Sequence, residues 1–296
     1  EKLLAKIKGE KLFWSATIRK GMIRTLIMKA FYKKDEECQN ALNTLVEKIL
    51  SYIDSTEKWK YISNFFVDLC EISPNAVLKR LENEFISSTG LLQLFEKQSE
   101  DILFGRNEYT SILFGVDEFL VQSEYVMRGL QWILKLNNLS YTYRSNAPKD
   151  TLDKVFCTWC NFSALQSVEE KKTAAEMAIS IDRNAWDYLY DALPGQKDSM
   201  FGEISSPKYR DHVRTTSPNR NEINELSMDY LKLLLKHMEF STEKWIKILK
   251  ITDILHDDLC NDIFDKMLCE LVQMTDSEVM IIKNAVRDLI YRHRYF

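Results

Sequence analysis

At 296 residues the chain exceeds the size at which a single hydrophobic core keeps growing, so two domains or one elongated repeat array are the starting expectations. Its 45% apolar and 28% charged residues exclude disordered, collagen-like and low-complexity chains, and eight Gly with five Pro, about a third of the usual ~12% share, exclude an all-β fold built on tight hairpins. Forty basic against 44 acidic side chains leave a net charge of −4 and no global field to attract nucleic acid.

Neither GxxxxGK[ST] nor GxGxxG occurs, so the common nucleotide-binding loops are missing. No apolar run reaches the ~18 residues of a membrane span, and no secretory leader opens the chain. The start at Glu1 without Met and the close at Arg294-Tyr295-Phe296 suggest a piece of a longer polypeptide. Six scattered cysteines are too few for a disulfide scaffold and read as reduced thiols of a cytoplasmic protein.

Apolar residues recur with a period of ~3.6, the pattern of helices that bury one stripe. From Glu36 to Ile53 the stripe is Cys38, Ala41, Leu42, Leu45, Ile49 and Ile53. Trp59, Ile62, Phe66, Leu69 and Cys70 form the next, followed by Val126, Leu130, Ile133 and Leu134. Ile223, Leu226, Tyr230, Leu233 and Leu234 make a later stripe, and Val279, Ile282, Val286, Leu289 and Ile290 the last. Helix starts are predicted at Ser73-Pro74, at the capping-box pairs Ser167/Glu170 and Thr275/Glu278, and at Asp150 and Asp182. Short connections between such helices make neighbours antiparallel. The expected fold is therefore all-α: an irregular α-solenoid of antiparallel helical hairpins, TPR- or HEAT-like. Ser55-Thr56-Glu57-Lys58-Trp59 recurs as Ser241-Thr242-Glu243-Lys244-Trp245, a repeated helix-opening device without the full TPR consensus.

Residues 195–218 break the rhythm, because Pro194 to Pro218 holds three of the five prolines. A loop of this length inside a compact domain is usually functional or a linker. Phe201, Ile204, Tyr209 and Val213 predict partial packing on the helices, and the loop divides a helical array 1–194 from its continuation 219–296.

Cys157-Thr158-Trp159-Cys160 lacks the strand context of a redox motif and the further ligands of a zinc site and lies inside an apolar helical pattern, so both cysteines are expected to face the protein core from a helix. His256-Asp257-Asp258 suggests, as the alternative reading, an HD-like metal-dependent phosphohydrolase centred on His256 and Asp257, with His212 or His237 and Asp288 as partners. His237 continues an apolar stripe, His212 sits in the long loop, and a helix-terminal His-Asp-Asp reads more simply as a solvated turn. No GxSxG elbow exists, and acidic pairs such as Glu169-Glu170 sit among lysines on polar faces. Basic residues cluster in the loop at Lys208, Arg210, His212 and Arg214, and near the end at Arg287, Arg292, His293 and Arg294. Few aromatics accompany them, so nucleic-acid binding is not the favoured use.

Three stretches carry a resemblance: Asn146-Ala147-Pro148 with Leu152, Phe156 and Trp159; Asn184-Ala185-Trp186 with Leu189 and Leu193-Pro194-Gly195; and Val286-Arg287-Asp288-Leu289-Ile290-Tyr291-Arg292-His293-Arg294-Tyr295-Phe296. Together they resemble the helical-repeat region of large bacterial multidomain proteins, some similar to STAND-type NTPase antiviral sensors. The resemblance spans residues 55 to 296 in order. Asn161-Phe162-Ser163 and Ser123-Glu124-Tyr125 depart from it by lacking prolines. It implies a non-catalytic interaction or scaffold region, with no cofactor and any effector chemistry elsewhere in the parent. The partner would be a protein or the parent's own domains. Trp159, Trp186 and Leu193-Pro194-Gly195 are expected as structural anchors, and Lys208, Arg210 and Arg214 as the partner-binding surface.

Overall fold

The computed structural model describes residues 15–96, 108–143, 146–197, 202–238, 241–252 and 257–293. Among these residues every regular element is a helix, and no helix is long and apolar enough to cross a membrane. The chain divides into two compact units, Glu1–Tyr230 and Leu231–Phe296. The division falls inside the helix Arg220–Lys236, beyond the 195–218 loop at which the sequence suggests it.

The first unit contains α1 (Ala16–Tyr32), α2 (Glu36–Ser51), α3 (Thr56–Ile62), a 3-10 turn at Ser63–Phe65, α4 (Phe66–Ile72) and α5 (Pro74–Asn83). After these come α6 (Leu92–Glu96), α7 (Tyr109–Leu120), α8 (Val126–Asn138), α9 (Pro148–Phe156), α10 (Val168–Ile181) and α11 (Ala185–Asp191). The helix α12 (Arg220–Lys236) leads onward. Packing follows a ladder: α1 lies on α2 and α4, α2 on α5, α4 on α5 and α7, α5 on α8, α7 on α8 and α9, and α8 on α10.

Local chemistry explains the helix starts. Asp35 Oδ1 accepts from the Cys38 amide at 2.9 Å to open α2. Ser167 and Glu170 form the expected reciprocal box on α10. Ser73-Pro74 opens α5, although the Ser73 hydroxyl turns away from its own helix to Asn43. Two expectations are corrected. Ala147, not Asp150, is the residue before α9, and Asp150 sits one turn in, where it accepts from the Ala147 amide at 2.9 Å. Asp182 ends α10, and Asn184 precedes α11.

The stripe Trp59, Ile62, Phe66, Leu69 and Cys70 is buried as expected, but its helix is interrupted by the 3-10 turn. Glycine sets the closest approach. A Cβ on Gly115 of α7 would lie 2.6 Å from Phe66 Cδ1 and 2.9 Å from Cys70 Sγ, so α7 and α4 meet at van der Waals contact only because the side chain is absent. The α2 stripe is rotated from the expected one. Leu42, Val46 and Leu50 are buried, while Leu45 is 37% exposed, because α2 carries apolar residues on two adjoining faces. Trp186 is buried and stacks on Tyr190 at 5.5 Å, as an anchor should; Trp159 is 36% exposed and is no core anchor. Gly195 takes the left-handed φ of +77° that ends the Leu193-Pro194 turn.

In the second unit α13 (Thr242–Ile251) packs on α15 (Asp276–His293), with α14 (Asp257–Leu271) between them in sequence. Trp245 is fully buried and donates Nε1–H to Glu270 at 2.9 Å. The repeated pentapeptide does open a helix in each unit, yet only Ser241 caps by a side-chain bond, to the Lys244 amide. Thr275 and Glu278 cap α15 reciprocally. Along α15 the core side chains are Ile282 and Leu289, whereas Ile290 of the expected stripe is exposed.

Candidate functional site

Between α11 and α12, residues 202–218 run across the first unit as an extended strap. Its only pairing with other main chain that resembles a strand, among the described residues, is the antiparallel bridge between Thr216 and Asn161. Asn161 N–H donates to Thr216 O at 2.8 Å, and Thr216 N–H returns the bond at 3.2 Å. Thr216 Oγ1 also donates to Gln166 Oε1 at 2.6 Å. Farther back, Val213 N–H donates to Val121 O at 2.8 Å, just past the end of α7. Ile204 is buried, and Tyr209 and Val213 are half-buried, as the loop sequence predicts; Phe201 lies outside the described residues.

The strap's remaining anchors are acidic. Glu71, buried at the end of α4, accepts from the Lys208 amide at 2.8 Å and from the Tyr209 amide at 3.2 Å. Asp117 on α7 accepts from the Thr151 hydroxyl at 3.0 Å. Glu118 lies beside them, 3% exposed, and its Oε2 has no hydrogen-bond partner among the described residues. Half-buried Asp68 completes an acidic layer under the strap.

Electrostatics follow from this burial. Loss of hydration raises the Asp117 carboxyl to about 7, with Thr151 and Lys154 pulling the other way. Burial, then repulsion from Glu71 and Asp68, raises Glu118 to about 9, so it is protonated at neutral pH. Burial likewise raises Asp68, opposed by Lys208 and Lys20.

The three residues expected to meet a partner separate. The Lys208 and Arg214 side chains are exposed on the strap. Arg210 is half-buried instead: its Nε donates to Glu71 O at 2.6 Å and its Nη2 to Ile72 O at 3.2 Å. Those carbonyls end α4 and lack intrahelical partners, so Arg210 closes a helix terminus. His212 is exposed, with Nδ1 at 3.1 Å from Arg210 O. Two clefts flank the strap, of about 440 and 300 Å³, and His212 and Val213 line both. The larger adds Lys34, Glu124 and Tyr125; the smaller adds Glu203 and Arg214.

Chemistry elsewhere is accounted for by packing. Cys157 and Cys160 are buried as expected, but in an irregular segment after α9 and not in a helix. Lys171 of α10, 1% exposed, donates Nζ–H to the carbonyls of both, at 3.3 Å for Cys160. Burial lowers Lys171 to about 8 and raises the Cys157 thiol to about 11, which leaves it a poor nucleophile at neutral pH. His256 lies outside the described residues, as does the Asp257 side chain. His237 is half-buried and Asp288 exposed, and no group of three or more His, Cys, Asp or Glu among the described residues could hold a metal ion.

Nothing in the sequence alone marks Glu71, Asp117 and Glu118 as site residues. A signal existed: Asp117-Glu118 interrupts the otherwise apolar run Ile112–Val121, where a charged pair has to be either lost from a core or given partners. No family model, curated protein or solved structure matches the chain.

Proposed function

We propose that the chain is a non-catalytic helical interaction region of a larger bacterial protein, engaging a partner macromolecule or the parent's own NTPase or effector module through the outer side of the strap. The observation that carries this reading is the division of the strap into two sides. Its main chain is fixed inward by Glu71, Val121 and Asn161, while Lys208, His212 and Arg214 stand exposed. Long ordered loops on rigid scaffolds are where binding groups concentrate. The cationic side chains suit an anionic protein surface.

The ladder of packing in the first unit supports the α-solenoid reading. Taken as pairs, α1/α2, α4/α5 and α7/α8 each contact internally, and each helix also contacts its counterpart in the next pair. The resemblance to helical regions of STAND-type proteins agrees with that arrangement. Six cysteines without a disulfide fit a reducing, cytoplasmic setting.

A photo-crosslinking amino acid at His212, in cells producing the parent protein, tests the reading. A discrete adduct is expected, reduced several-fold by Lys208→Glu combined with Arg214→Glu at an unchanged circular-dichroism melt. An undiminished adduct, or none, refutes the strap as the contact surface. Arg210 is left intact because its loss would free the end of α4.

A further inference from the structure

Cys157 and Cys160 stand three positions apart in the irregular segment that follows α9, and both are free thiols. One nitrogen organises that segment. Lys171 Nζ donates to the main-chain carbonyls of both residues, so the chain from Cys157 to Cys160 folds around a single point. Burial raises the Cys157 thiol most; the Trp159 amide, Lys171 and the Cys160 amide oppose that rise, and the Cys160 thiol adds to it. The Cys157 sulfur therefore lies close to Cys160. A regulatory disulfide needs two adjacent thiols and an oxidant, not the strand-to-helix frame of a disulfide oxidoreductase.

The pair is asymmetric. Cys157 is fully buried, whereas Cys160 is 9% exposed and its Sγ–H donates to Thr216 O at 3.5 Å. Thr216 is the strap residue that pairs with Asn161, the neighbour of Cys160. One thiol thus touches the strap at its antiparallel bridge and faces its motif partner as well.

We propose that Cys157 and Cys160 are a peroxide-responsive modification site, whose disulfide withdraws the Cys160 thiol from Thr216 and loosens that end of the strap. Cys160, the more accessible sulfur, attacks as thiolate one oxygen of hydrogen peroxide. The O–O bond breaks, hydroxide leaves and takes up the proton lost from Cys160 as water, and Cys160 becomes a sulfenic acid. The Cys157 sulfur then attacks the Cys160 sulfur, the S–O bond breaks, and the Cys157 proton departs with the hydroxyl as a second water. The disulfide has no hydrogen to donate, so Thr216 O keeps only the Asn161 N–H. Control of partner binding by this step rests on the strap being the contact surface; formation of the disulfide does not.

Treatment of the native full chain with hydrogen peroxide, followed by alkylation and peptide mapping, tests the chemistry. Loss of two hydrogens within the tryptic peptide 155–171, reversed by dithiothreitol, is expected. Hydrogen exchange at the Thr216 amide should rise about 3-fold in the oxidised chain, a small factor because S–H···O bonds are weak. The Lys208 and Tyr209 amides, held by Glu71, should keep their rates. Cys160→Ser retains a donor to Thr216 and cannot form the bond, so peroxide should leave its Thr216 exchange unaltered. Cys157→Ser should halt at a sulfenic acid on Cys160 that dimedone traps. No loss of hydrogens under peroxide, a bridge to any other cysteine, or a disulfide formed with unchanged Thr216 exchange overturns the proposal. The His212 crosslink is read in reduced protein, so failure here and failure of the strap reading are separable.

Discussion

Glu71 of α4 accepts the main-chain amide of Lys208 at 2.8 Å, across 137 positions of sequence. The next amide, Tyr209, converges on the other carboxylate oxygen, so one buried side chain replaces its lost water with two successive N–H donors of the strap. Arg210 then takes up the carbonyls of Glu71 itself and of Ile72. Strap and helix end satisfy each other.

Replacement Glu71→Gln removes one of the two acceptor oxygens and turns an amide nitrogen toward a main-chain donor. The expected cost is about 1–3 kcal/mol. Hydrogen exchange at Lys208 and Tyr209 should accelerate while amides in the middle of α8 keep their protection; equal exchange in mutant and wild type would contradict the anchoring role.

The acidic layer makes stability depend on pH. Asp117 and Glu118 have folded-state pKa values of about 7 and about 9, raised above those of the unfolded chain, so the native state holds more protons than the unfolded state between pH ~4 and those values. Their contribution is complete below pH ~4 and is lost as pH rises through about 7 and then about 9. Thermal melts of Glu118→Gln should match wild type near pH 5 and exceed it near pH 9, by on the order of 2 kcal/mol. A wild type that grows more stable over that interval relative to Glu118→Gln excludes the assignment.

Two glycines within helices should respond in opposite directions to alanine. At Gly115 the new methyl would sit 2.6 Å from the Phe66 ring and force α7 from α4, a loss of about 1–3 kcal/mol. At Gly21, inside α1, nothing lies within 4 Å of where a Cβ would stand, and alanine should gain about 0.5–1 kcal/mol from helix propensity. Chemical denaturation of the pair measures both signs.

Lys171→Met is expected to destabilise by about 2–4 kcal/mol, because it leaves the carbonyls of Cys157 and Cys160 buried without their charged donor. Thiol labelling reads the effect directly. Cys157 and Cys160 should react slowly in the native wild type and markedly faster in Lys171→Met; identical labelling rates would dismiss Lys171 as the pin of this segment.

How much of this is legible in sequence depends on the range of the interaction. The boxes at Ser167/Glu170 and Thr275/Glu278 involve neighbours three apart, and the α8 stripe Val126, Leu130, Ile133 and Leu134 is fully buried as its period predicts. Periodicity could not choose between the two apolar faces of α2, since Leu42/Val46 and Leu45/Ile49 both recur at helical spacing. The break after Phe156 contains neither Gly nor Pro and is fixed by Lys171, fourteen positions away from Cys157, so local propensity carried no warning of it. Arg210 looked like a surface cation because its two acceptors are main-chain carbonyls, and carbonyls leave no mark in a sequence.

The strap also sets an order of assembly. Its contacts close loops of 55 residues at Asn161 and of 139 at Glu71, separations whose chain entropy is lost before any bond is gained. During synthesis α4 and α7 emerge well ahead of residues 203–216, so the carboxylates of Glu71, Asp117 and Glu118 remain hydrated until the strap arrives. Closure of the strap is then the late step in folding, and it is the step that dehydrates those carboxyl groups. Raising the pH should therefore slow completion of the fold more than it slows packing of the earlier helices.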